Sequence, residues 1–257
     1  MTPDPPALRP RTFPDRTSLG RAAAADVAAE LRERLARQDR VRMVFAAAPS
    51  QQEMLTALRE ADGIDWTRVE AFHMDEYLDL PAEAPQRFAN WLRSAIFDHL
   101  PFAGAHLIQP GPDPERTAQD YAAALAAGPI DIVCLGIGQN GHLAFNDPPV
   151  ADLEDPLDVK VVELDDVCRR QQVDDECFDS LDDVPHRAIT LTIPRLLAAD
   201  RLFCVVPGAA KRDAVEKALT EPVSARHPAT ALRTHPDVTL YVDADSAPRS
   251  TAAEADR

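Results

Sequence analysis

The sequence lacks an uninterrupted apolar run of the roughly 20 residues that a membrane-spanning helix needs, and its first residues show no signal-peptide pattern. Positive charge is also scarce, because 27 Lys and Arg stand against 43 Asp and Glu, for a net charge of −16. Such an acidic surface repels the phosphates of nucleic acids and of anionic membranes. We therefore expect neither as a partner, and an anionic small-molecule ligand would need cations at its own site.

The sequence also has few cysteines, and none of them has C-x-x-C spacing. The four are Cys134, Cys168, Cys177 and Cys204. Two of them fall within apolar segments, where a cysteine usually acts as a small apolar side chain. This usage predicts a reducing compartment, with the cytoplasm as the expected location, and it argues against a structural zinc site or another metal site.

Segments with the patterns of strands and helices alternate along the 257 residues. Apolar, strand-like segments cover 41–48, 68–74, 130–135, 188–192, 201–206 and 238–242. Helical periodicity covers 18–38, 86–100, 114–127 and 209–219. An S-x-x-E capping box at Ser50 and Glu53 predicts one more helix, to about residue 61. This order predicts an α/β fold, a single Rossmann-like domain with a mostly parallel, twisted sheet and helices on both faces.

Three segments lack these patterns. Residues 1–17 are proline-rich and predict an extended or disordered N-terminal arm before a domain that spans 18–246. Residues 247–257 predict a loose C-terminal tail. The acidic stretch 150–185 predicts a solvated surface of loop and helix.

Three of the nine glycines follow one apolar segment, 130–135, within six residues; they are Gly136, Gly138 and Gly141. Their spacing, G-x-G-x-x-G, is that of the dinucleotide-binding fingerprint. That fingerprint requires a helix that opens at the third glycine, and Pro148 and Pro149 leave too little chain for it. The sequence therefore predicts a ligand-binding loop without a nicotinamide or flavin cofactor.

Polar residues follow several of the predicted strands, and the carboxyl ends of parallel strands meet at one edge of a sheet. Asp75 directly follows the segment 68–74, where a carboxylate could act as a general base. The alternative is that Asp75 or Glu76 caps the next segment, and for Glu76 we favour the cap. Ser50 is ambiguous, because its capping box explains it without a ligand.

Two further stretches bring polar residues to the same edge. His142 lies in the glycine-rich turn and is interpreted as a proton shuttle. Asp147 either orients this imidazole or belongs to an ordinary Asp-Pro turn, and the sequence leaves both open. Lys211 lies near the start of a predicted helix, where a cation suggests a phosphate site; the alternative is a solvated surface lysine.

Three motifs resemble the glucosamine-6-phosphate deaminase (isomerase) family: FHMDEYLDL (72–80), LGIGQNGHLAFNDP (135–148) and AITLTIPRLLAAD (188–200). The similarity runs from about residue 20 to 246. The GHLAFNDP motif is more similar to the deaminases than to the related 6-phosphogluconolactonases. The resemblance implies a cytosolic enzyme that isomerises and deaminates glucosamine 6-phosphate to fructose 6-phosphate and ammonia, without a metal or an organic cofactor. It leaves the oligomeric state open, with a homo-oligomer as one outcome.

The resemblance also implies roles for individual residues. Asp75 matches the base that moves the C2 proton, and His142 matches the histidine that opens the pyranose ring. Asn140 and Asp147 accompany this histidine. Lys211 matches a phosphate-binding lysine. Gly138 and Gly141 belong to the loop that approaches the substrate.

The sequence departs from the family pattern at several of these positions. The family often has Asp where Asn140 stands and Glu where Asp147 stands. The first phosphate loop reads AAPSQQ (47–52) instead of P-T-G-G-T-P, and Ser50 is its one candidate phosphate-binding hydroxyl. An arginine expected near position 173 is absent, which leaves Arg169 and Arg170 as candidate substitutes.

Three other functions compete with the deaminase. The first is a lactonase or another sugar-phosphate isomerase on the same scaffold. The second is a non-catalytic sugar-phosphate sensor, suggested by Asn140 and the altered phosphate loop. The third is a metal-dependent hydrolase that would use His73, Asp75, His142 and Asp147, although these show no metal-ligand spacing.

Overall fold

The structure is a computed structural model that describes residues 8–249, and in this part of the chain it contains two sheets. The strands are β1 (Pro10–Phe13), β2 (Val41–Phe45), β3 (Val69–His73), β4 (Asp75–Tyr77), β5 (Gly104–His106), β6 (Ile132–Leu135), β7 (Val159–Glu163), β8 (Arg187–Leu191), β9 (Arg201–Val206) and β10 (Val238–Asp243). The α-helices are α1 (Arg16–Leu35), α2 (Gln52–Arg59), α3 (Phe88–Leu92), α4 (Pro114–Ala126), α5 (Asp166–Asp174), α6 (Ile193–Leu197) and α7 (Arg212–Thr220). No helix within residues 8–249 combines the length and apolarity required to cross a membrane.

The larger sheet has seven strands in the order β1-β10-β9-β6-β2-β3-β5, and every neighbouring pair is parallel. Its central strands β2 and β6 are buried along their whole length, as their apolar sequences require. One apolar core packs α1, α2 and α3 on one face, and a second core packs α4, α6 and α7 on the other. The predicted α/β fold with a mostly parallel sheet between two helical layers is confirmed.

The sheet changes direction between β2 and β6. From β2 the chain adds β3 and then β5 on one side, whereas from β6 it adds β9 and then β10 on the other. The loops that follow β2 and β6 therefore diverge at the carboxyl edge and leave a crevice between them. Ligands bind at such a switch point in open α/β sheets.

The smaller sheet, β4-β8-β7, is antiparallel, and the sequence did not predict it. The segment 188–192 forms β8 here instead of extending the parallel sheet. Strand β7 lies within the acidic stretch that predicted loop and helix. β7 is short, so it shows little alternation of apolar and polar residues. Its Lys160 pairs with Asp155 (Nζ–Oδ2 2.8 Å), and such charged residues hide the strand pattern in the sequence.

The predicted N-terminal arm needs correction, because residues 10–13 form a strand of the main sheet and α1 begins at Arg16. Pro10 opens β1, an edge strand on β10, where a proline costs no interior ladder hydrogen bond. Asp15 then caps α1, because its Oδ1 accepts a hydrogen bond from the Ser18 amide (2.7 Å). Residues 1–7 of the predicted arm and residues 250–257 of the predicted tail lie outside the described part of the chain.

Two helix predictions also need correction. The segment 86–100 forms α3 followed by one π-helical turn, Arg93–Phe97. The capping box is wrong, since Ser50 lies inside a 3-10 turn, Pro49–Gln51, and makes no cap hydrogen bond. Glu53 instead pairs with Arg16 (Oε1–Nε 2.6 Å), and the Ser50 hydroxyl accepts a hydrogen bond from Gln51 Nε2 (3.2 Å).

Candidate active site

A cavity of about 270 Å³ occupies the crevice at the switch point. Its walls come from the loops after β2, β6 and β9, from the start of β4 and from the end of α5. The structure brings five of the residues predicted from the sequence to this one cavity: Ser50, Asp75, Gly138, His142 and Lys211. Four separate stretches of chain thus meet at one edge of the sheet, as the strand order predicts.

Asp75 is the first residue of β4, and its side chain faces the cavity while remaining 7% exposed. Within residues 8–249 its carboxylate has no hydrogen-bond partner. Burial, followed by the charge of the adjacent Glu76, raises the pKa of Asp75 well above that of an ordinary aspartate. A buried, unpaired carboxylate of this kind has the properties of a general base.

Glu76 has a different environment. Its carboxylate accepts hydrogen bonds from the Phe88 amide (3.0 Å) and the Ala89 amide (3.0 Å), the first two amides of α3. Burial raises the pKa of Glu76, although these hydrogen bonds oppose the shift. The interpretation of Glu76 as a helix cap is therefore confirmed.

His142 is held by a compact group of polar side chains. Its Nδ1 lies 2.8 Å from Asn140 Oδ1 and 3.0 Å from Asp147 Oδ1, and Asn140 Nδ2 donates to the same Asp147 oxygen (2.7 Å). Because two oxygens face Nδ1, that nitrogen carries the proton, and Nε2 is left as an acceptor. Asp147 therefore orients the imidazole, and the simple Asp-Pro turn is the weaker of the two readings.

Asp147 is buried, with 2% of its surface exposed. Burial alone would raise its pKa, but His142, Asn140 and the Cys168 thiol together hold the pKa of Asp147 below its usual range. The ligand atoms of His142, Asp147 and Cys168 all lie within 4.8 Å of one another, and they are the buried group in the described residues that could hold a metal ion. His73 does not join them, since its Nε2 accepts from the Ile108 amide (2.8 Å) away from the cavity.

Two glycines shape this loop in different ways. A Cβ added to Gly138 would lie 2.2 Å from the Cε1 and Nε2 atoms of His142, so the imidazole packs directly on the bare backbone. Gly141 instead has φ +89° and turns the chain, and its amide donates to the Gly138 carbonyl (2.9 Å). Gly141 does not line the cavity, so its assignment as a substrate-binding residue is not supported.

Lys211 ends a 3-10 turn, Ala209–Lys211, which begins after Gly208 in a left-handed conformation (φ +95°). The lysine is 8% exposed and faces the cavity, so it is not a solvated surface residue. Its Nζ lies 3.9 Å from Asp175 Oδ2. Burial lowers the pKa of Lys211, although the Asp175 charge opposes the shift.

Several lining residues were missed by the sequence analysis, namely Arg16, Phe88, Phe145, Gln171, Gln172 and Asp175. Gln171 Oε1 accepts from the Gln139 amide of the glycine-rich loop (2.8 Å), and Gln172 Oε1 accepts from the Tyr77 hydroxyl (2.7 Å). These hydrogen bonds hold the end of α5 against the glycine-rich loop and against β4. No motif indicated them, because the acidic stretch gives no apolar periodicity.

Comparisons with known proteins place this geometry in a family. The family described as glucosamine-6-phosphate isomerases/6-phosphogluconolactonase matches residues 14–241. The chain belongs to this family. A glucosamine-6-phosphate deaminase of Halothermothrix orenii is 35% identical over 200 residues, which cover 76% of this chain and 80% of that protein. One of Shouchella clausii is 33% identical over 229 residues and covers 86% and 90% of the two chains.

Solved structures of this family share the architecture. A monomeric glucosamine-6-phosphate deaminase superposes with a TM-score of 0.85 at 25% identity and covers 93% of this chain and 98% of its own. A 6-phosphogluconolactonase from Thermotoga maritima has a TM-score of 0.75 at 16% identity, covering 91% and 98%, and shows the shared fold alone.

The two arginines proposed as substitutes for the family's expected arginine do not reach the cavity. The Arg169 guanidinium donates to the carbonyls of Leu181 (2.6 Å) and Val184 (3.1 Å), and Arg170 is exposed. Successive positions of a helix are separated by about 100°, so the face of α5 that presents residues 171, 172 and 175 turns positions 169 and 170 away. Arg16, at the start of α1, is the arginine that lines the cavity instead.

Proposed function

We propose that the protein is a glucosamine-6-phosphate deaminase, which converts glucosamine 6-phosphate and water into fructose 6-phosphate and ammonia. The family membership and the curated relatives support this activity. The observation that carries the proposal is the opposition of Asp75, an unpaired carboxylate with a raised pKa, to the His142–Asp147 pair in one cavity. This arrangement supplies two separate proton-transfer groups, one for ring opening and one for isomerisation.

Ring opening is assigned to His142. Its Nε2 accepts the proton of the anomeric hydroxyl and returns a proton to the ring oxygen, which breaks the C1–O5 bond and frees the aldehyde. Asp147, 3.0 Å from Nδ1, stabilises the imidazolium that forms between these two transfers. Asn140 holds Asp147 and the imidazole in this orientation through its amide and its carbonyl.

Isomerisation is assigned to Asp75. Its carboxylate removes the C2 proton of the open-chain aldehyde while O1 takes up a proton, which gives an enolamine, and it then delivers the C2 proton to C1 while the nitrogen releases a proton. The product is a ketimine at C2. Water then adds to C2, the C–N bond breaks, and ammonia leaves as the ketone of fructose 6-phosphate forms. A raised pKa makes Asp75 a stronger base than an ordinary aspartate and suits it to abstraction from carbon.

Lys211 and Ser50 are assigned to the substrate phosphate. Both line the cavity, Lys211 on the loop after β9 and Ser50 on the loop after β2. Phosphate bound there places the sugar ring toward β4 and the glycine-rich loop. The steps proposed use side chains of this chain, the substrate and water, without an organic cofactor or a metal ion.

The purified full-length protein tests the proposal directly. With glucosamine 6-phosphate as substrate, ammonia and fructose 6-phosphate are expected in equal amounts, and turnover is expected to continue after exhaustive chelation. With 6-phosphogluconolactone, no acid release above the spontaneous rate is expected. Acid release from the lactone without ammonia from the amino sugar would contradict the proposal and support the lactonase instead.

A further inference from the structure

The anion-binding end of the cavity contains a carboxylate. Lys211 is the buried cation at this end of the cavity. Asp175 Oδ2 lies 3.9 Å from Lys211 Nζ, and Asp175 lines the same cavity. The second cation, Arg16, is already paired with Glu53 (2.6 Å) and donates to the Pro49 carbonyl (2.9 Å). The two positive charges that a phosphate would meet are therefore both neutralised by carboxylates of the chain.

The position of Asp175 is fixed by its neighbours. Gln171 Nε2 donates to Asp175 Oδ2 (3.2 Å), and Gln171 is itself held by the Gln139 amide (2.8 Å). Asp175 directly follows α5, and the next residue, Glu176, has φ +58°, so the chain turns back sharply at this point. The carboxylate consequently remains beside the lysine instead of moving freely into solvent.

We propose that Asp175 is a specificity-determining residue that competes with anionic ligands for Lys211. This inference rests on the proposed function, in which Lys211 binds the substrate phosphate. A small anion such as inorganic phosphate has only the lysine and nearby hydroxyls to gain, so the carboxylate excludes it. A sugar phosphate also contacts the groups around Asp75 and His142, and this additional binding offsets the repulsion.

The competition has a measurable size. Removing one like charge close to a bound dianion in a partly desolvated site is expected to tighten anion binding by about tenfold. Asp175→Asn is the suitable change, because the amide keeps an oxygen acceptor for Gln171 while it removes the charge. Asp174→Asn is the matched control, since Asp174 is the preceding residue, is exposed and does not line the cavity.

The experiment measures the dissociation constant of inorganic phosphate by calorimetry and the KM for glucosamine 6-phosphate, using the full chain. Asp175→Asn is expected to lower the phosphate dissociation constant about tenfold and to lower KM with little change in kcat. Asp174→Asn is expected to stay within about twofold of the wild type, as for most exposed charges. In the double variant Asp175→Asn with Lys211→Met, the gain in phosphate binding is expected to vanish.

An Asp175→Asn variant whose phosphate affinity equals that of Asp174→Asn, or is weaker, would overturn the inference. Asp175→Ser serves as the second variant should the asparagine variant be misfolded by circular dichroism. The phosphate measurement needs no turnover, so it is independent of the proposed reaction. If the variants show these phosphate affinities but the wild type releases no ammonia, the proposed function is wrong and the role of Asp175 still stands.

Discussion

Asp75 and Glu76 are consecutive residues of β4, and their carboxylates lie on opposite faces of that strand. Asp75 faces the cavity without a partner, whereas Glu76 accepts three backbone amides, from Tyr77, Phe88 and Ala89. The alternation of side chains along a strand produces this division. One carboxylate is thereby left available for proton transfer, and the other stabilises the helix beside it.

The first prediction concerns Asp75→Asn. We expect kcat to fall by about 10²–10⁴-fold, because a positioned general base contributes that much. We also expect the free energy of unfolding at pH 7 to increase by about 1 kcal/mol or more, since a buried, unpaired carboxylate is removed. Ammonia release and urea denaturation measure the two effects. Asp79→Asn, at an exposed carboxylate paired with Arg187, is the control and should leave both quantities nearly unchanged.

The second prediction separates two glycines of one loop. Gly138→Ala places a methyl group 2.2 Å from the His142 ring, so the imidazole must shift. We expect kcat to fall about hundredfold, as for an ångström-scale displacement of a catalytic group. Gly141→Ala has space for its Cβ but a φ of +89°, so we expect a stability loss of about 1–2 kcal/mol. The reverse pattern, measured by kinetics and denaturation, would contradict the packing described here.

The third prediction concerns Lys211→Met, which keeps the length of the buried side chain and removes its charge. We expect KM for glucosamine 6-phosphate to rise about tenfold or more, because a charge-assisted contact to phosphate is lost. Lys217→Met, at an exposed lysine of α7, is the matched control. Equal KM values for the two variants would remove Lys211 from the phosphate site.

The fourth prediction concerns the two arginines of α5. Arg169→Met removes the guanidinium that donates to the carbonyls of Leu181 and Val184, so we expect a loss of about 1–3 kcal/mol of stability. Arg170→Met, at an exposed residue, should leave stability nearly unchanged. Neither variant is expected to change KM, and a rise in KM for Arg169→Met in a folded protein would restore it to the substrate site.

The fifth prediction concerns pH. The raised pKa of Asp75 should place the acidic limb of kcat above the usual carboxyl range, because the base is inactive when protonated. A raised pKa in the folded state lowers stability as pH increases through it, so Asp75→Asn should stabilise most at neutral and alkaline pH and least below about pH 4. Because the pKa of Lys211 is lowered, the lysine should lose its proton at a lower pH than an ordinary lysine does. KM should therefore begin to rise at that lower pH. Rate profiles and denaturation from about pH 3 to about pH 10 measure all three.

The sequence was sufficient for residues in the loop that follows a strand of clear apolar pattern. Asp75 lies two positions after β3 and His142 seven positions after β6, and the rule that parallel strands share a carboxyl edge brought them together. Lys211 was found in the same way after β9. The resemblance to the family added proposed roles to these positions and did not alter where they lie.

The residues of α5 could not be placed from the sequence. Gln171, Gln172 and Asp175 lie on a polar segment without apolar periodicity, so nothing in it shows which face is turned inward. The antiparallel sheet β4-β8-β7 and the aromatic contact of Tyr77 with Phe178 (5.4 Å between ring centroids) fix that face through distant parts of the chain. Arg16 was missed because α1 begins at Arg16, two residues before the segment in which the sequence shows helical periodicity.

The crevice also sets an order of assembly. Strands β2 and β6 pair side by side, Met43 opposite Ile132, yet α2, β3, β4, α3, β5 and α4 intervene along the chain. Closing so long a segment costs conformational entropy before any contact repays it, and contacts of high sequence separation form slowly. During refolding from denaturant, helical ellipticity should therefore recover well before the capacity to release ammonia, because His142 cannot face Asp75 until β6 has docked on β2.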